Sequence, residues 1–306
     1  EVGALSLLGR VLLIANPAAQ SGAGDAAADR AAELLRAALG ADAVTVARTA
    51  GPRHACALAK AADGADTVVA LGGDGAIHEV VNGLMALPVA ARPQLGVIPV
   101  GSGNDYARAL GIPAQVDKAC ARLLHAKARP VDIGCVNGEF FAETLSFGLD
   151  AAIALDTMER RKRTGKSGTA LYMASGFDQL FHHLDERAYR LQLDDGPVMQ
   201  GASITFAVQM GPYYGGGFRI CPDARLDDGL FDLCISNPPI GPVGAAAIFL
   251  RAKNGNHVSS PRMEFHQARK MRVEFDETPP AQVDGERIEA SVFEAEVMPA
   301  ALRVLQ

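Results

Sequence analysis

The sequence has 306 residues, 49% of them apolar and 21% charged, the balance of a folded protein with room for two domains. Its 29 basic and 35 acidic side chains leave a net charge of −6, and Trp is absent. Neither a basic nucleic-acid surface nor a base-stacking platform is indicated, so no nucleic-acid partner is expected.

Cys56, Cys120, Cys135, Cys221 and Cys234 are scattered and lack CxxC spacing. They suit reduced thiols in a cytoplasmic protein better than a disulfide frame or a zinc site. The opening stretch EVGALSLLGR has no basic n-region, so no signal peptide is expected. No apolar run approaches a membrane span, and any membrane contact is expected to be peripheral.

In chain order, Arg10–Ala15 reads as a strand stopped by Asn16-Pro17. A loop at Gln20–Gly24 follows, and Asp25 is expected to cap an Ala-rich helix to Leu39. Val44–Ala47 reads as a strand, Arg53–Ala62 as a helix and Thr67–Leu71 as a buried strand. Gly72-Gly73-Asp74-Gly75 then breaks the pattern, and Ile77, Val80, Val81 and Leu84 recur at helical spacing. Strand, glycine loop and helix form a unit whose backbone amides can approach an anion. Asp74 would repel a bare phosphate, and makes better sense beside magnesium or its waters. The plain alternative is a tight turn whose glycines serve geometry alone.

Gln94–Val100 reads as the next strand, running into a second loop, Pro99-Val100-Gly101-Ser102-Gly103-Asn104-Asp105. Here Asp105 either serves the site or caps the short helix Tyr106–Leu110. A helix at Val116–His125 and a strand at Arg129–Ile133, with Asp132 near its end, complete an alternating α/β half. Such alternation predicts a parallel sheet with its ligand at the carboxyl ends of the strands, where both loops lie.

After Gly134 the pattern turns to strands: Val136–Ser146, Tyr189–Leu193, Ile204–Gln209, Leu230–Ser236, Arg269–Phe275 and Ala281–Ala290. Helices are expected only near Gly168–Leu184 and Val243–Arg251. This predicts an α/β domain over 1–133 and a mostly antiparallel β-rich domain over 134–298. A last strand within 299–306 could return to the first domain.

Arg225-Leu226-Asp227-Asp228-Gly229-Leu230-Phe231-Asp232 could hold a cation through oxygen, but its spacing alone favours a hairpin turn. The same holds for Gln282-Val283-Asp284-Gly285-Glu286, where Glu286 would protrude at the exit of the turn. Arg160-Arg161-Lys162-Arg163 with Lys166 reads as a solvated basic loop, with anionic lipid headgroups or ATP phosphates as the alternatives. Thr164-Gly165-Lys166-Ser167 imitates the end of a phosphate-binding loop but lacks the leading glycine. His182-His183 fits no ligand pattern.

Taken in order, these motifs resemble the diacylglycerol kinase catalytic-domain family, especially its bacterial lipid kinases. NAD kinases and phosphofructokinases share the Gly-Gly-Asp-Gly element more distantly. The matching set runs from Asn16-Pro17 and Ser21-Gly22 through Gly72–Gly75 with Glu79–Gly83 to Pro99–Asp105. It continues with Asp132-Ile133-Gly134, Asp228-Gly229-Leu230 and Asp284-Gly285-Glu286.

The resemblance implies an α/β nucleotide-binding domain, a β-sandwich-like second domain and an active site in the cleft between them. It implies a kinase using ATP and Mg2+ to phosphorylate the hydroxyl of a diacylglycerol-like membrane lipid, met peripherally; it leaves room for a homodimer. By motif position, Asn16, Thr49, Gly72, Gly73, Asp74, Gly75, Ala76, Glu79, Ser102 and Asn104 would hold ATP. Asp74, Asp105 and Asp132 would organise catalytic magnesium, and Glu286 would be the general base. Asp228, with the carbonyls of Arg225 and Leu230, would hold a structural magnesium ion. Two positions depart from the family: Ala76 stands where it usually has Thr, and Ser102 where it has Thr. The alternatives are an NAD kinase-like enzyme, or a non-catalytic lipid- or nucleotide-binding protein of the same fold.

Overall fold

The structure, a computed structural model, describes residues 8–166, 168–182 and 184–306. Readings made on Glu1–Leu7, Ser167 and His183 lie outside the described residues. The chain divides into two units. One takes in the described chain to Val131 together with Ala300–Gln306; the other is Asp132–Pro299.

In the first unit the elements are β1 (Val11–Ala15), α1 (Ala23–Leu39), β2 (Val44–Arg48), α2 (His54–Lys60) and β3 (Thr67–Gly72). They continue with α3 (Asp74–Met85), β4 (Gln94–Pro99), α4 (Asp105–Ala109) and α5 (Val116–His125). The strands pair in parallel in the order β2-β1-β3-β4, with Val11 beside both Val44 and Thr67, and Thr67 beside Gln94.

Every residue of β3 is buried, as a strand covered on both faces requires. On one face Ala28, Ala31, Ala32 and Leu35 of α1 and Ala119, Cys120 and Leu123 of α5 pack on Val11, Leu13, Val69, Leu71 and Ile98. Small alanines let helix and sheet approach closely. The same economy joins α2 to α3, where a Cβ on Gly83 would stand 2.4 Å from the Cys56 carbonyl oxygen.

Three sequence readings change. Gly22, in left-handed conformation, precedes α1, so Asp25 is not the cap; it lies in the first turn and pairs with Arg48 at 2.6 Å. Helix α3 starts at Asp74 and not at Ile77, so Asp74-Gly75-Ala76 are its first turn. Asp105 is the first helical residue of α4, and Asn104, at φ 54°, occupies the cap position without a side-chain cap bond.

The second unit contains β5 (Ala128–Val136, from Asp132 on), β6 (Glu139–Phe141), β7 (Thr144–Gly148), α6 (Leu149–Thr164) and α7 (Thr169–His182). Next come β8 (Arg187–Leu193), β9 (Met199–Ser203), β10 (Thr205–Gln209), β11 (Phe231–Ser236) and α8 (Pro242–Ala252). The remaining strands are β12 (Met263–Ala268), β13 (Lys270–Phe275), β14 (Ala281–Val283), β15 (Glu286–Arg287) and β16 (Val292–Leu305).

One antiparallel layer runs β9-β8-β13-β16, with β5 beside β16 and β6 beside β5; the other runs β12-β11-β10-β7-β14-β15. The core between them is aromatic: Phe147 packs at 4.6 Å from Phe293 and 5.1 Å from Phe275, ring centre to ring centre. The outer face of the second layer is covered by α6, α7 and α8 through Leu149, Ile153, Tyr172 and Phe249, with Phe218 of the β10–β11 connection packed among them. The α/β half and the antiparallel sandwich-like half both agree with expectation.

Local readings of this half were less exact. The stretch 136–146 takes in the end of β5, all of β6 and the start of β7, with Asn137 and Gly138, both at positive φ, between β5 and β6. The stretch 281–290 is the β14–β15 hairpin. Helix α6 and strands β9 and β12 were not foreseen. The basic run Arg160–Arg163 forms the end of α6 and is not a loop. Arg225–Leu230 forms irregular turns leading into β11, not a two-stranded hairpin. The carboxyl end of β16 belongs to the first unit, where Val304 lies parallel to Leu95 of β4 and Gln306 exchanges backbone hydrogen bonds with Lys127.

Candidate active site

The carboxyl ends of the parallel strands are stitched together by the first residues beyond them. Asn16 N–H donates to the Leu71 carbonyl at 3.0 Å, Thr49 N–H to Ala15 at 2.9 Å, and Val100 N–H to Gly72 at 2.7 Å. Thus Asn16, Thr49, the Gly72–Ala76 turn and the Gly101–Asp105 turn share one sheet edge. The two glycine turns touch backbone to backbone: a Cβ on Gly101 would stand 2.4 Å from Gly73 Cα, and one on Gly73 3.2 Å from Gly101 Cα. Glycine is needed at Gly101, where no side chain fits between the turns, and a Cβ at Gly73 would make a tight contact with Gly101. Ala76 sits directly over Gly72, its Cβ 2.6 Å from where a Gly72 Cβ would stand.

This contact aligns the acidic side chains. Asp74 Oδ1 accepts the Tyr106 N–H at 3.3 Å, tying the start of α3 to the start of α4. Asp105 is buried and gripped by the Arg108 guanidinium. A carboxylate oxygen of Asp74 and one of Asp105 lie within 4.8 Å of each other. Asn104 donates from Nδ2 to the Gly101 carbonyl at 2.8 Å, and Gln20 Nε2 donates to the same oxygen at 2.8 Å. Asn104 Oδ1 is buried without a hydrogen-bond partner among the described residues. Ser102 is half-buried in the same turn. Glu79 takes a different part: its two oxygens accept the N–H groups of Arg53 at 2.8 Å and Ala55 at 3.0 Å, closing the start of α2.

In the second unit, buried Asp132 accepts the Gly229 N–H at 2.6 Å, while its own N–H donates to the Leu226 carbonyl at 2.8 Å. Asp132 thereby holds the turn that carries Arg225, Asp228 and Leu230. Asp228 is exposed and its Oδ1 accepts the Leu230 N–H at 3.1 Å. Burial first, then the charges of Asp228 and Asp223, push the Asp232 carboxyl up to about 6 against the pull of its hydrogen bond from Gln267. Asp232 Oδ2 is buried without a partner among the described residues.

Glu286 opens β15, exposed, directly after a turn that is anything but loose. Asp284, at φ 46° and buried, accepts the N–H groups of Ala142 at 2.8 Å, Glu143 at 3.1 Å and Thr144 at 2.9 Å. Gln282 supports the same turn, accepting the Gly285 N–H at 2.6 Å and donating to Ser146 Oγ at 2.7 Å. The clamp also fixes Glu143, a buried carboxylate that the sequence did not single out. No spacing marks Glu143; only the Asp284 bonds reveal it.

The donor sets fit the groups expected. Asp74 and Asp105 offer hard oxygens close together, at the first turn of a helix whose leading amides have no intrahelical partner. Such an edge suits magnesium with a phosphate chain, and the orphaned Asn104 Oδ1 offers one further acceptor. Around Asp228 the donors are also oxygen only, a hard-ligand set of the kind a divalent cation takes.

Comparisons with known proteins agree. Residues 10–136 match the Diacylglycerol kinase catalytic domain family, and residues 143–306 match the YegS C-terminal NAD kinase beta sandwich-like domain family. The chain is 36% identical to the diacylglycerol kinase of Bacillus subtilis over 72% of its own length and 71% of that protein's. It is 32% identical to the diacylglycerol kinase of Staphylococcus carnosus over 72% and 70%. The fold resembles that of a diacylglycerol kinase from Bacillus anthracis, with a TM-score of 0.74, 21% identity and 97% and 96% coverage. It also resembles an NAD kinase from Archaeoglobus fulgidus in complex with ATP, with a TM-score of 0.54, 13% identity and 97% and 92% coverage. Two paired glycine turns, the carboxylates they align and a match over both units make this chain a member of the diacylglycerol kinase family of lipid kinases.

Proposed function

We propose that the chain uses ATP and magnesium to phosphorylate the free hydroxyl of a diacylglycerol-like lipid met at a membrane surface. The observation that carries this reading is the contact of Gly73 with Gly101, which brings the Asp74 and Asp105 carboxylates within 4.8 Å. The names of the relatives support the choice of acceptor.

Asn16, Thr49, Gly72–Ala76, Ser102 and Asn104 form the edge on which the nucleotide phosphates rest. Glu79 acts one step back by holding α2. Asp74 and Asp105 would hold magnesium, which when bound neutralises phosphate charge. Glu286 takes the proton of the acceptor hydroxyl as its oxygen bonds to the γ-phosphorus and the bond to the ADP oxygen breaks. Arg225, Asp228 and Leu230 would hold a second, structural cation.

The test offers purified protein γ-labelled ATP with magnesium and, in parallel, diacylglycerol vesicles, NAD or no acceptor. Label is expected in the lipid. Glu286→Gln is expected to lower turnover by about 10²–10⁴ while leaving ATP binding intact. Label in NAD, or none in any lipid, would overturn the proposal.

A further inference from the structure

The outer face of the layer β12-β11-β10-β7-β14-β15 carries a polar row. Thr144, Gln209, Asp232 and Gln267 stand directly beside one another on β7, β10, β11 and β12. Further along the same strands, Ala207 and Cys234 are paired neighbours that belong to the apolar cluster under the helices. Gln209 is fully buried and Thr144 nearly so, yet both are polar. Burying an amide or a hydroxyl costs stability unless it is hydrogen-bonded, and a fully bonded polar row fixes one geometry in return.

The row is joined from both ends. Gln209 bonds Thr144 through their side chains, Nε2 to Oγ1 at 2.6 Å. Gln267 Nε2 donates to Asp232 Oδ1 at 3.0 Å. Between these two bonds remain Gln209 Oε1 and Asp232 Oδ2, both buried acceptors without a partner among the described residues. Turning the Gln209 amide over meets both needs at once: Oε1 accepts the Thr144 hydroxyl proton, and Nε2 faces Asp232 Oδ2 as a donor. The side-chain bonds then run without a gap across four adjacent strands.

The row ends on the Asp284 clamp. Thr144 N–H donates to Asp284 Oδ1 at 2.9 Å, and Asp284 N–H donates to the Thr144 carbonyl at 2.9 Å. Glu286 follows at the start of β15. Beside this joint, the bond from Gln282 to Ser146 braces the same hairpin against β7.

We infer that Gln209 is a positioning residue for Glu286, fixing through Thr144 and Asp284 the hairpin on which that carboxylate is mounted. The inference rests on the proposed role of Glu286 as general base and adds the residue that sets where the base stands. A displaced base loses rate without losing nucleotide, because the residues assigned to the nucleotide edge belong to the first unit.

The test measures transfer of label from γ-labelled ATP to diacylglycerol by the full chain. Gln209→Met keeps the length of the side chain and removes its hydrogen bonds. It should lower kcat about tenfold and leave the KM for ATP within about twofold of wild type. The same substitution added to Glu286→Gln should cost nothing further, because the row acts only through that carboxylate. Thr144→Val breaks the row at its next joint and should match Gln209→Met, with the double variant no worse than either. Thr144→Ser keeps the hydroxyl and should match wild type. Should thermal unfolding show that Gln209→Met does not fold, the two Thr144 variants decide the question.

A folded Gln209→Met variant with wild-type turnover would overturn the inference. So would an equal loss of rate in the Glu286→Gln background, the mark of a residue that merely holds the fold. Hydrogen exchange separates the row from the reaction: the Ala142, Glu143 and Thr144 amides should exchange faster in Gln209→Met than in wild type. Unchanged exchange at those amides overturns the inference. If exchange rises but wild type phosphorylates no lipid, the link from Gln209 to the hairpin stands and the proposed reaction falls.

Discussion

Ala76 shows how much one methyl group decides. Its Cβ lies over Gly72 at the start of α3, where the resemblance to the family implies a Thr hydroxyl. Adding that hydroxyl supplies one neutral hydrogen bond to phosphate, on the order of 1 kcal/mol. Ala76→Thr is therefore expected to lower the KM for ATP about fivefold with kcat little changed. Steady-state kinetics at varied ATP check this; a raised KM would mean that the methyl position is too crowded for a branched side chain.

Some residues were legible in the sequence and some were not. Gly73 and Gly101 were visible as members of two glycine turns, and at Gly101 no side chain serves where backbone meets backbone. Asp132 and Asp284 were visible only as members of an ordered set, since each alone looks like a turn former. Glu79 was assigned to the nucleotide, yet its carboxylate caps α2, a partner 24–26 residues away that no local pattern announces. Glu143 gave no sign, because its setting is made by Asp284, roughly 140 residues later.

At the scale of elements, the β14–β15 hairpin is held by Asp284. Three amides share its two oxygens, and all of them are buried. Asp284→Ala leaves them without an acceptor and should cost about 3 kcal/mol, read as a lower thermal midpoint, with activity falling further than stability as Glu286 loses its mounting. Asp284→Asn is expected to fall between, since Oδ1 can still serve Glu143 and Thr144 while an amide nitrogen faces the Ala142 N–H. An alanine variant as stable as wild type would show the clamp to be dispensable.

Elements with strong period were readable: β1 to β4, α1 and α5 fall within a few residues of expectation. Helix α6 was missed although Ile153 and Thr157 bury at helical spacing, because the charged run at its end suggested loop. The stretch 136–146 merged parts of β5, β6 and β7, although Asn137-Gly138 between β5 and β6 is a strong hairpin signal in its own right. Edge strands β9 and β12 alternate too weakly in hydrophobicity to stand out.

At the scale of the whole molecule, stability should depend on pH through Asp150. This residue at the start of α6 is buried; burial pushes its carboxyl up to about 7, against the stabilising bond from Tyr214 O–H at 3.1 Å. The folded state thus keeps a proton that the unfolded chain releases near its ordinary range. Stability is full below the unfolded value, declines as pH rises towards 7, and levels off once the folded carboxyl ionises. Asp150→Asn keeps an acceptor for Tyr214 without the ionisation. It should raise the thermal midpoint by several degrees at pH 7 and leave it little changed at pH 4. Equal gains at both values would point to packing instead.

Strand β16 carries the remaining consequence. Its buried Leu302, Val304 and Leu305 complete the first unit's core, although they follow the whole of Asp132–Pro299 in the chain. A ribosome delivers the four parallel strands early but their last neighbour only after about 200 further residues. Until then the edge of β4 stays open, a segment that nascent-chain chaperones would be expected to shield.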